Sequence, residues 1–347
     1  MVRPLQRKLW RDIGRNKPQF IAITLTIFLG VTIFGATYDS FQNLQASYDQ
    51  TAVEYRFANL TTVGGNVAAI AAHAEELPEA EYVATRTTVD VPFRVDDTKL
   101  LGRTVGLPAT EQPPVNQIDV LSGSYLSDGS SREVLVEEHM ADHFDLIPGD
   151  SFELLIDGDW AIVTVTGIVA SPEYIWPARD RQEIITTPDN FGVVFVTENL
   201  ARDIAGGGPN EVTIYYAGGE ADEEVTESLA AFARDNGATS VYTRNEQPSN
   251  AALSEDLKGF EEMAVFFPIM FLTAAAMAAY VMISRLVHAQ RPHIGVFLAN
   301  GFTRRQVLSH YLGYGLIPGL IGSIPGAIAG VLLARVITRM YTGMLSI

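Results

Sequence analysis

The chain has 347 residues, no cysteine, 24 basic against 41 acidic side chains and a formal charge of −17, yet 47% of it is hydrophobic. These numbers exclude a disordered chain, a collagen-like repeat and a disulfide-stapled miniprotein. They also sit badly with one soluble globule, and the two properties turn out to be segregated. Residues 39–264 hold 40 acids and 12 bases, a net of −28, whereas residues 1–38 and 265–347 hold 12 bases and one acid, Asp12, a net of +11.

In chain order, residues 1–18 come first, with Leu5, Leu9 and Ile13 recurring every four positions among Arg3, Arg7, Lys8, Arg11, Arg15 and Lys17. That spacing predicts a short amphipathic helix lying on the inner membrane surface, separated by Pro18 from the apolar run after it. Residues 20–38, FIAITLTIFLGVTIFGATY, carry no charge and are long enough to span a bilayer, which takes about 20 apolar residues. The first span is placed at 19–38; its apolar run exceeds that of a signal peptide and no small-x-small cleavage site comes after it, so it reads as an uncleaved anchor. On it Ala22, Thr26 and Gly30 form a small-residue row suited to helix packing.

Residues 39–252 form the acidic block. β-rich runs at 82–95, 133–137, 152–155, 161–169, 193–196 and 212–216 alternate with helical stretches at 66–77, 137–144 and 220–235, and Asp157-Gly158 reads as a hairpin turn. The expectation is a large α+β domain. It contains no phosphate loop, no HExxH and no GxSxG, and the chain offers no cysteine nucleophile, so a noncatalytic protein is expected. His139 and His143 would share a helical face, but no third ligand stands out, and they read as a solvated pair rather than a metal site.

Leu253, Leu257, Phe260 and Ala264 then adopt helical spacing, with acids between them, so 253–284 reads as an amphipathic stalk continuing into the second span. Ala275 and Ala279 are its packing positions. Residues 285–307 form a loop: Pro292 opens a short helix, Gly301 stops it and Thr303 caps the next. The third span, 308–334, carries Gly322, Gly326 and Gly330, with Pro318 and Pro325 expected to bend it. Residues 335–347 remain as a short external tail. No Asp, Glu, Lys or Arg lies within the spans, which disfavours a proton or ion pathway. Arginine and lysine cluster before the first span and between the second and third. Both stretches are therefore expected in the cytoplasm and the acidic block outside it. The fold class is thus a helical transmembrane bundle of three spans with a large α+β extracytoplasmic domain.

The loop stretch RPHIGVFLANGFTRRQVLSHYLGYG resembles the cytoplasmic signature of FtsX-like ABC transporter permeases of the MacB type. In that family an arginine or glutamate, Ile-Gly, an apolar pair, Ala-x-Gly and a basic pair precede the glycine-rich third helix. The phrases LWRDIGRNKPQFIAITLTIFLGV, VNQIDVLSGSY, IPGDSFEL and ASPEYIWP are similar to the same family. The resemblance implies a permease subunit of the prokaryotic inner membrane, driven by a separate cytoplasmic ATPase dimer that holds the ATP and Mg. No cofactor is implied on this chain. A second permease unit and membrane lipid are the other implied partners; nucleic acid is not one.

The implied mechanism is mechanotransmission, in which ATPase motion passes through the loop helix and stalk to the external domain. The implied ATPase contacts are Arg291, His293, Ile294, Gly295, Ala299, Gly301, Arg304 and Arg305. Family members often have glutamate where this chain has His293, which bears on any salt bridge made there. A second implied role is a membrane-anchored regulatory scaffold controlling a cell-wall hydrolase or a signalling partner. The family unit has a fourth span, so the expectation here is a truncated or split permease.

Overall fold

The computed structural model describes residues 3–128, 132–176, 178–179, 189–219 and 223–345. The chain divides into a helical unit, Met1–Gln45 with Leu257–Met344, and an α+β unit, Ala46–Asp256.

The helical unit is built from α1 (Arg3–Arg15), most of α2 (Lys17–Glu54) and α7 (Pro248–Ala289), then α8 (Arg291–Ala299) and α9 (Arg304–Leu345). Helices α2, α7 and α9 are long and apolar enough to cross a membrane. All three overrun the boundaries read from uncharged runs. Helix α2 continues sixteen residues past position 38, through Leu44, Tyr48 and Ala52, a buried row at spacing four. Helix α9 continues through the expected tail and through both Pro318 and Pro325. The break between α1 and α2 falls at Asn16, whose side chain donates to the Asp12 carbonyl at 3.2 Å. Pro18 lies in the first turn of α2, where its missing N–H has no intrahelical partner to lose.

The apolar stripe of α1 packs largely against protein instead of lying flat on a lipid surface, and Leu5 and Leu9 also line a groove beside α9. Leu9 is buried in a cluster with Phe20, Val307, Tyr311 and Tyr314, and Ile13 packs against it. Gly313 permits this approach, because a side chain there would begin 3.1 Å from Leu9 Cδ2. Glycine likewise sets the α2–α9 contact. A Cβ on Gly322 would lie 2.7 Å from the Thr24 carbonyl oxygen, one on Gly326 2.9 Å from that of Phe28, and one on Gly330 3.1 Å from the Gly35 Cα. Gly30 faces Phe271 of α7, and Ala275 is buried while Ala279 is half-buried. The row read as Ala22, Thr26 and Gly30 is corrected in part: Ala22 is exposed, and the Thr26 hydroxyl donates to the Ala22 carbonyl of its own helix at 2.9 Å. The backbone carbonyls of Thr24 and Phe28 make the close approach instead.

The α+β unit holds two sheets. One contains β1 (Leu60–Gly64), α3 (Val67–Glu75) and β2 (Ala80–Arg86), then, far along the chain, β10 (Glu211–Tyr216), α6 (Glu223–Asp235) and β11 (Ala238–Thr243). Its order is β11-β1-β10-β2, antiparallel throughout, the pattern of a split βαβ–βαβ ferredoxin-like layer. Leu60, Ile70, Val212, Ile214 and Leu229 fill its core.

The insertion between β2 and β10 comprises β3 (Thr88–Val95), β4 (Thr98–Leu107), β5 (Asp119–Gly123), β6 (Glu133–Glu137), α4 (Glu138–His143), β7 (Ser151–Ile156), β8 (Asp159–Ala170), β9 (Phe191–Thr197) and α5 (Glu198–Ala205). The strand order is β5-β8-β6-β9-β4-β3-β7, and β7 pairs back onto β8. The sheet therefore closes into a barrel, which among the described strands leaves β5 as the edge. Phe93, Val134, Leu154, Val163 and Val194 fill the interior. The Asp157-Gly158 turn joins β7 to β8 with positive φ at both residues, as a type I′ hairpin requires. The run 82–95, read as one strand, is two strands in two sheets, parting at Thr87.

Candidate functional site

Helix α8 is fixed at both ends by local chemistry. Pro292 sits in its first turn. At its end Gly301 adopts φ +82, the left-handed conformation that glycine takes without strain. The Gly301 N–H donates to the Leu298 carbonyl and the Phe302 N–H to the Phe297 carbonyl, both at 3.1 Å. The Phe297 and Phe302 rings meet edge-on at 5.6 Å, completing a Schellman motif with its apolar contact. Thr303 and Gln306 then form a capping box at the start of α9, with bonds of 2.9 and 3.3 Å.

Residues of α8 divide between two faces. Ile294 and Phe297 turn inward, against the cluster around Tyr311 and Tyr314. Pro292, His293, Gly295, Val296 and Ala299 are exposed, and Gly295 has open space around it. Val296 is 58% exposed, an apolar side chain outside the runs that span lipid. Arg291, Gly301 and Arg304 are exposed beside this face. Arg305 is also exposed but lines a groove against α1.

Under α8 lies a polar cluster that sequence reasoning missed. One Asp12 carboxylate oxygen accepts from Lys8 Nζ (2.6 Å), Tyr314 Oη (2.7 Å) and Gln290 Nε2 (3.1 Å). Gln290 Oε1 accepts in turn from Lys8 Nζ (2.5 Å) and Tyr311 Oη (2.9 Å). Burial pushes the Asp12 pKa up, but the bonds from Lys8, Tyr314 and Gln290 outweigh that and hold it below its usual value. Gln290 is the residue between α7 and α8, so the cluster ties that corner to α1 and α9. The clue in the sequence is that Asp12 is the single acid of the two basic ends.

A second ionic cluster lies in the α+β unit. The Arg86 guanidinium is buried, giving Nη1 and Nη2 to the two Glu173 oxygens at 2.6 Å each and Nε to Glu211 at 2.8 Å. Burial opposes its charge, yet Glu173 and Glu211 raise its pKa well above the ordinary arginine value. The Glu173 carbonyl accepts from Gln247 Nε2 (2.7 Å), and the Trp176 N–H donates to Ser249 Oγ (2.8 Å). These bonds join the loop after β8 to the first turn of α7. Leu253 is buried three residues after Asn250, whose Nδ2 donates to the Arg244 carbonyl at 2.8 Å. Further along α7, the Phe260 ring meets Tyr341 edge-on at 5.6 Å and Ala264 is buried; the Leu257 side chain lies outside the described ones.

The MacB-like periplasmic core domain family model matches residues 20–232, and the FtsX-like permease C-terminal model matches residues 265–347. The chain belongs to the FtsX-like, MacB-type permeases. No curated protein matches it. Among solved structures, this permease is similar to the periplasmic region of MacB from Actinobacillus actinomycetemcomitans, at 12% identity and TM-score 0.34, over 57% of this chain and 92% of that one. It is also similar to the extracellular domain of the noncanonic ABC-type transporter YknZ from Gram-positive bacteria, at 13% identity and TM-score 0.34, over 54% and 99%. A domain of a permease protein from Porphyromonas gingivalis aligns at 13% identity and TM-score 0.29, over 51% and 71%.

The permease is a membrane protein whose α+β unit is extracytoplasmic. Of the residues the sequence singles out for the ATPase, Arg291, His293, Gly295, Ala299, Gly301 and Arg304 lie on or beside one exposed surface. Ile294 faces the protein interior and Arg305 the α1 groove. Val296 belongs to the exposed surface although it is not among the ATPase contacts the resemblance implies. The two histidines of α4 have other neighbours: His139 Nδ1 lies 2.5 Å from Glu137 Oε1, and the His143 ring packs edge-on against Phe144 at 4.7 Å. Among the described residues no three His, Cys, Asp or Glu side chains converge to hold a metal.

Proposed function

We propose that this permease is the noncatalytic membrane subunit of a mechanotransmission machine. A separate cytoplasmic ATPase dimer, which holds ATP and Mg, engages the exposed face of α8. Its closing motion passes through α7 to the extracytoplasmic unit, where it moves or releases a substrate, in concert with a second permease unit.

The observation that carries this reading is the combination in α8 of a rigid mounting with an unpartnered outer face. Pro292 in the first turn, the Schellman motif at the other end, the inward Ile294 and Phe297 and the Asp12–Gln290 cluster hold the helix, so a push on it is passed on and not absorbed by the loop. The outer face offers Val296 and Ala299 as apolar contacts, with Gly295 allowing close approach and Arg291 and Arg304 at the margins. Small apolar anchors ringed by charge suit a protein contact better than a solvated loop.

The test is Val296→Asp in the full-length chain. A carboxylate buried at the contact without a partner costs about 3 kcal/mol, or about a hundredfold in association. The expected result is loss of ATPase co-purification and of stimulated ATP hydrolysis, with membrane insertion intact. Undiminished binding and hydrolysis with the inserted variant refutes the assignment of this face.

A further inference from the structure

Between α1 and the start of α9 lies a groove of about 380 Å³ with an unusual division of chemistry. Its floor is apolar, formed by Leu5 and Leu9 of α1 and by Phe302. Its rim carries Arg305, Gln306 and Ser309, a guanidinium, an amide and a hydroxyl. Among the described residues no carboxylate lines it: Asp12, the single acid in residues 1–38 and 265–347, is held by Lys8, Gln290 and Tyr314. The first turn of the long helix α9 adds its positive dipole end to the same rim.

Two features of the surroundings identify the occupant. The exposed side of α1 presents Arg7, Arg11 and Arg15, a concentration of positive charge that attracts an anionic surface. Trp10, on the same helix, is 59% exposed, and an exposed tryptophan beside a membrane span sits at headgroup depth. An apolar floor beneath a cationic, donor-rich rim at that depth matches a molecule with an anionic phosphate joined to hydrocarbon. It does not match a free anion, which has no use for Leu5, Leu9 and Phe302.

We propose that this groove binds an anionic phospholipid, with Arg305 donating to the headgroup phosphate and the glycerol and upper acyl carbons lying over the leucine floor. The proposal separates the roles of two adjacent arginines. Arg305, which lines the groove, serves lipid, while Arg304 does not line it. It rests on the membrane location of the permease and is independent of the ATPase assignment.

The experiment titrates phosphatidylglycerol into the full-length chain in neutral detergent and counts retained lipid by native mass spectrometry. Phosphatidylcholine and inorganic phosphate run in parallel. A single saturable phosphatidylglycerol per chain is expected. Arg305→Gln should weaken it about tenfold or more, the size of a lost charge-assisted bond, and Arg304→Gln by less than about twofold. Ser309→Phe, which fills the groove and leaves every charge in place, should abolish the bound lipid and covers the case in which Arg305→Gln fails to fold. Equal losses from the two arginine variants would mean diffuse surface charge and overturn the proposal. So would equal retention of phosphatidylcholine, displacement by inorganic phosphate alone, or undiminished binding to Ser309→Phe.

Discussion

Asp12 and Arg86 illustrate how far single residues can be read. Asp12 is conspicuous in the sequence as the one acid of the basic ends, but its partners are 278 and 302 positions away, at Gln290 and Tyr314. Asp12→Ala strips three charge-assisted bonds and leaves Lys8, whose side chain is 13% exposed, without its counter-charge. The expected cost is about 2 kcal/mol in the stability of the helical unit, read as a lower unfolding temperature in detergent. The pH dependence has a definite sign. The folded pKa is lowered below 3.8, so the contribution is complete above that value and disappears as pH falls through the folded one. Between about pH 5 and pH 3 the unmodified chain should lose more stability than Asp12→Ala, and equal slopes would remove the cluster from consideration. Arg86 gives no such clue: its carboxylate partners are 87 and 125 positions away, and Arg94 and Arg103 sit in β-rich stretches of similar composition. Arg86→Met abandons two buried carboxylates and should cost about 3–5 kcal/mol. The triple change with Glu173→Leu and Glu211→Leu should recover most of it, since the ion pairs cost desolvation that apolar replacements avoid. Protease resistance of the extracytoplasmic unit in the full chain distinguishes the two.

At the scale of elements, legibility tracks the range of the interactions. The end of α8 is readable because a Schellman motif and a capping box are both written between Phe297 and Gln306. The extension of α2 is readable in principle, from Leu44, Tyr48 and Ala52, but the charge at Asp39 ends the hydropathy run before the row begins. Barrel closure is not readable, since it depends on β7 pairing with both β3 and β8, and nothing local specifies a partner. The division of 82–95 is equally hidden: Thr87, whose N–H and hydroxyl both donate to Glu198, is as β-prone as its neighbours. Helix packing in the membrane is half legible. Glycines on α9 are identifiable by type, but the side of α2 they meet is set by the crossing itself. Gly326→Leu would drive a side chain into the Phe28 carbonyl and should destabilise the helical unit by about 1–3 kcal/mol. Ala22→Leu, on an exposed position of α2, should change it by less than about 0.5 kcal/mol. Equal effects in detergent unfolding would mean that the α2–α9 glycine contact does not form.

For the whole molecule, the segregation of charge carries the largest claim. The net of −28 lies in the residues of the MacB-like core and its approaches, and the net of +11 on the flanks that span and border the membrane. Arginine and lysine near span ends fix orientation because they resist translocation, whereas acids in a large translocated domain contribute little. Ten bases with one acid before the first span and between the second and third should therefore hold α1 and α8 in the cytoplasm and leave the acidic unit outside. The absence of cysteine makes this directly measurable, since any introduced thiol is unique. Asp235→Cys puts one on an exposed position at the end of α6, and Val296→Cys puts one on the outer face of α8. A membrane-impermeant maleimide applied to intact cells, or to spheroplasts where an outer membrane intervenes, should label position 235 at once. Position 296 should react only after permeabilisation. If an ATPase covers α8, labelling at 296 should stay slow in permeabilised membranes until that partner is stripped, which Arg291→Glu with Arg304→Glu should mimic without washing. Labelling of 296 from outside would reverse the orientation and with it the assignment of α8 to a cytoplasmic partner.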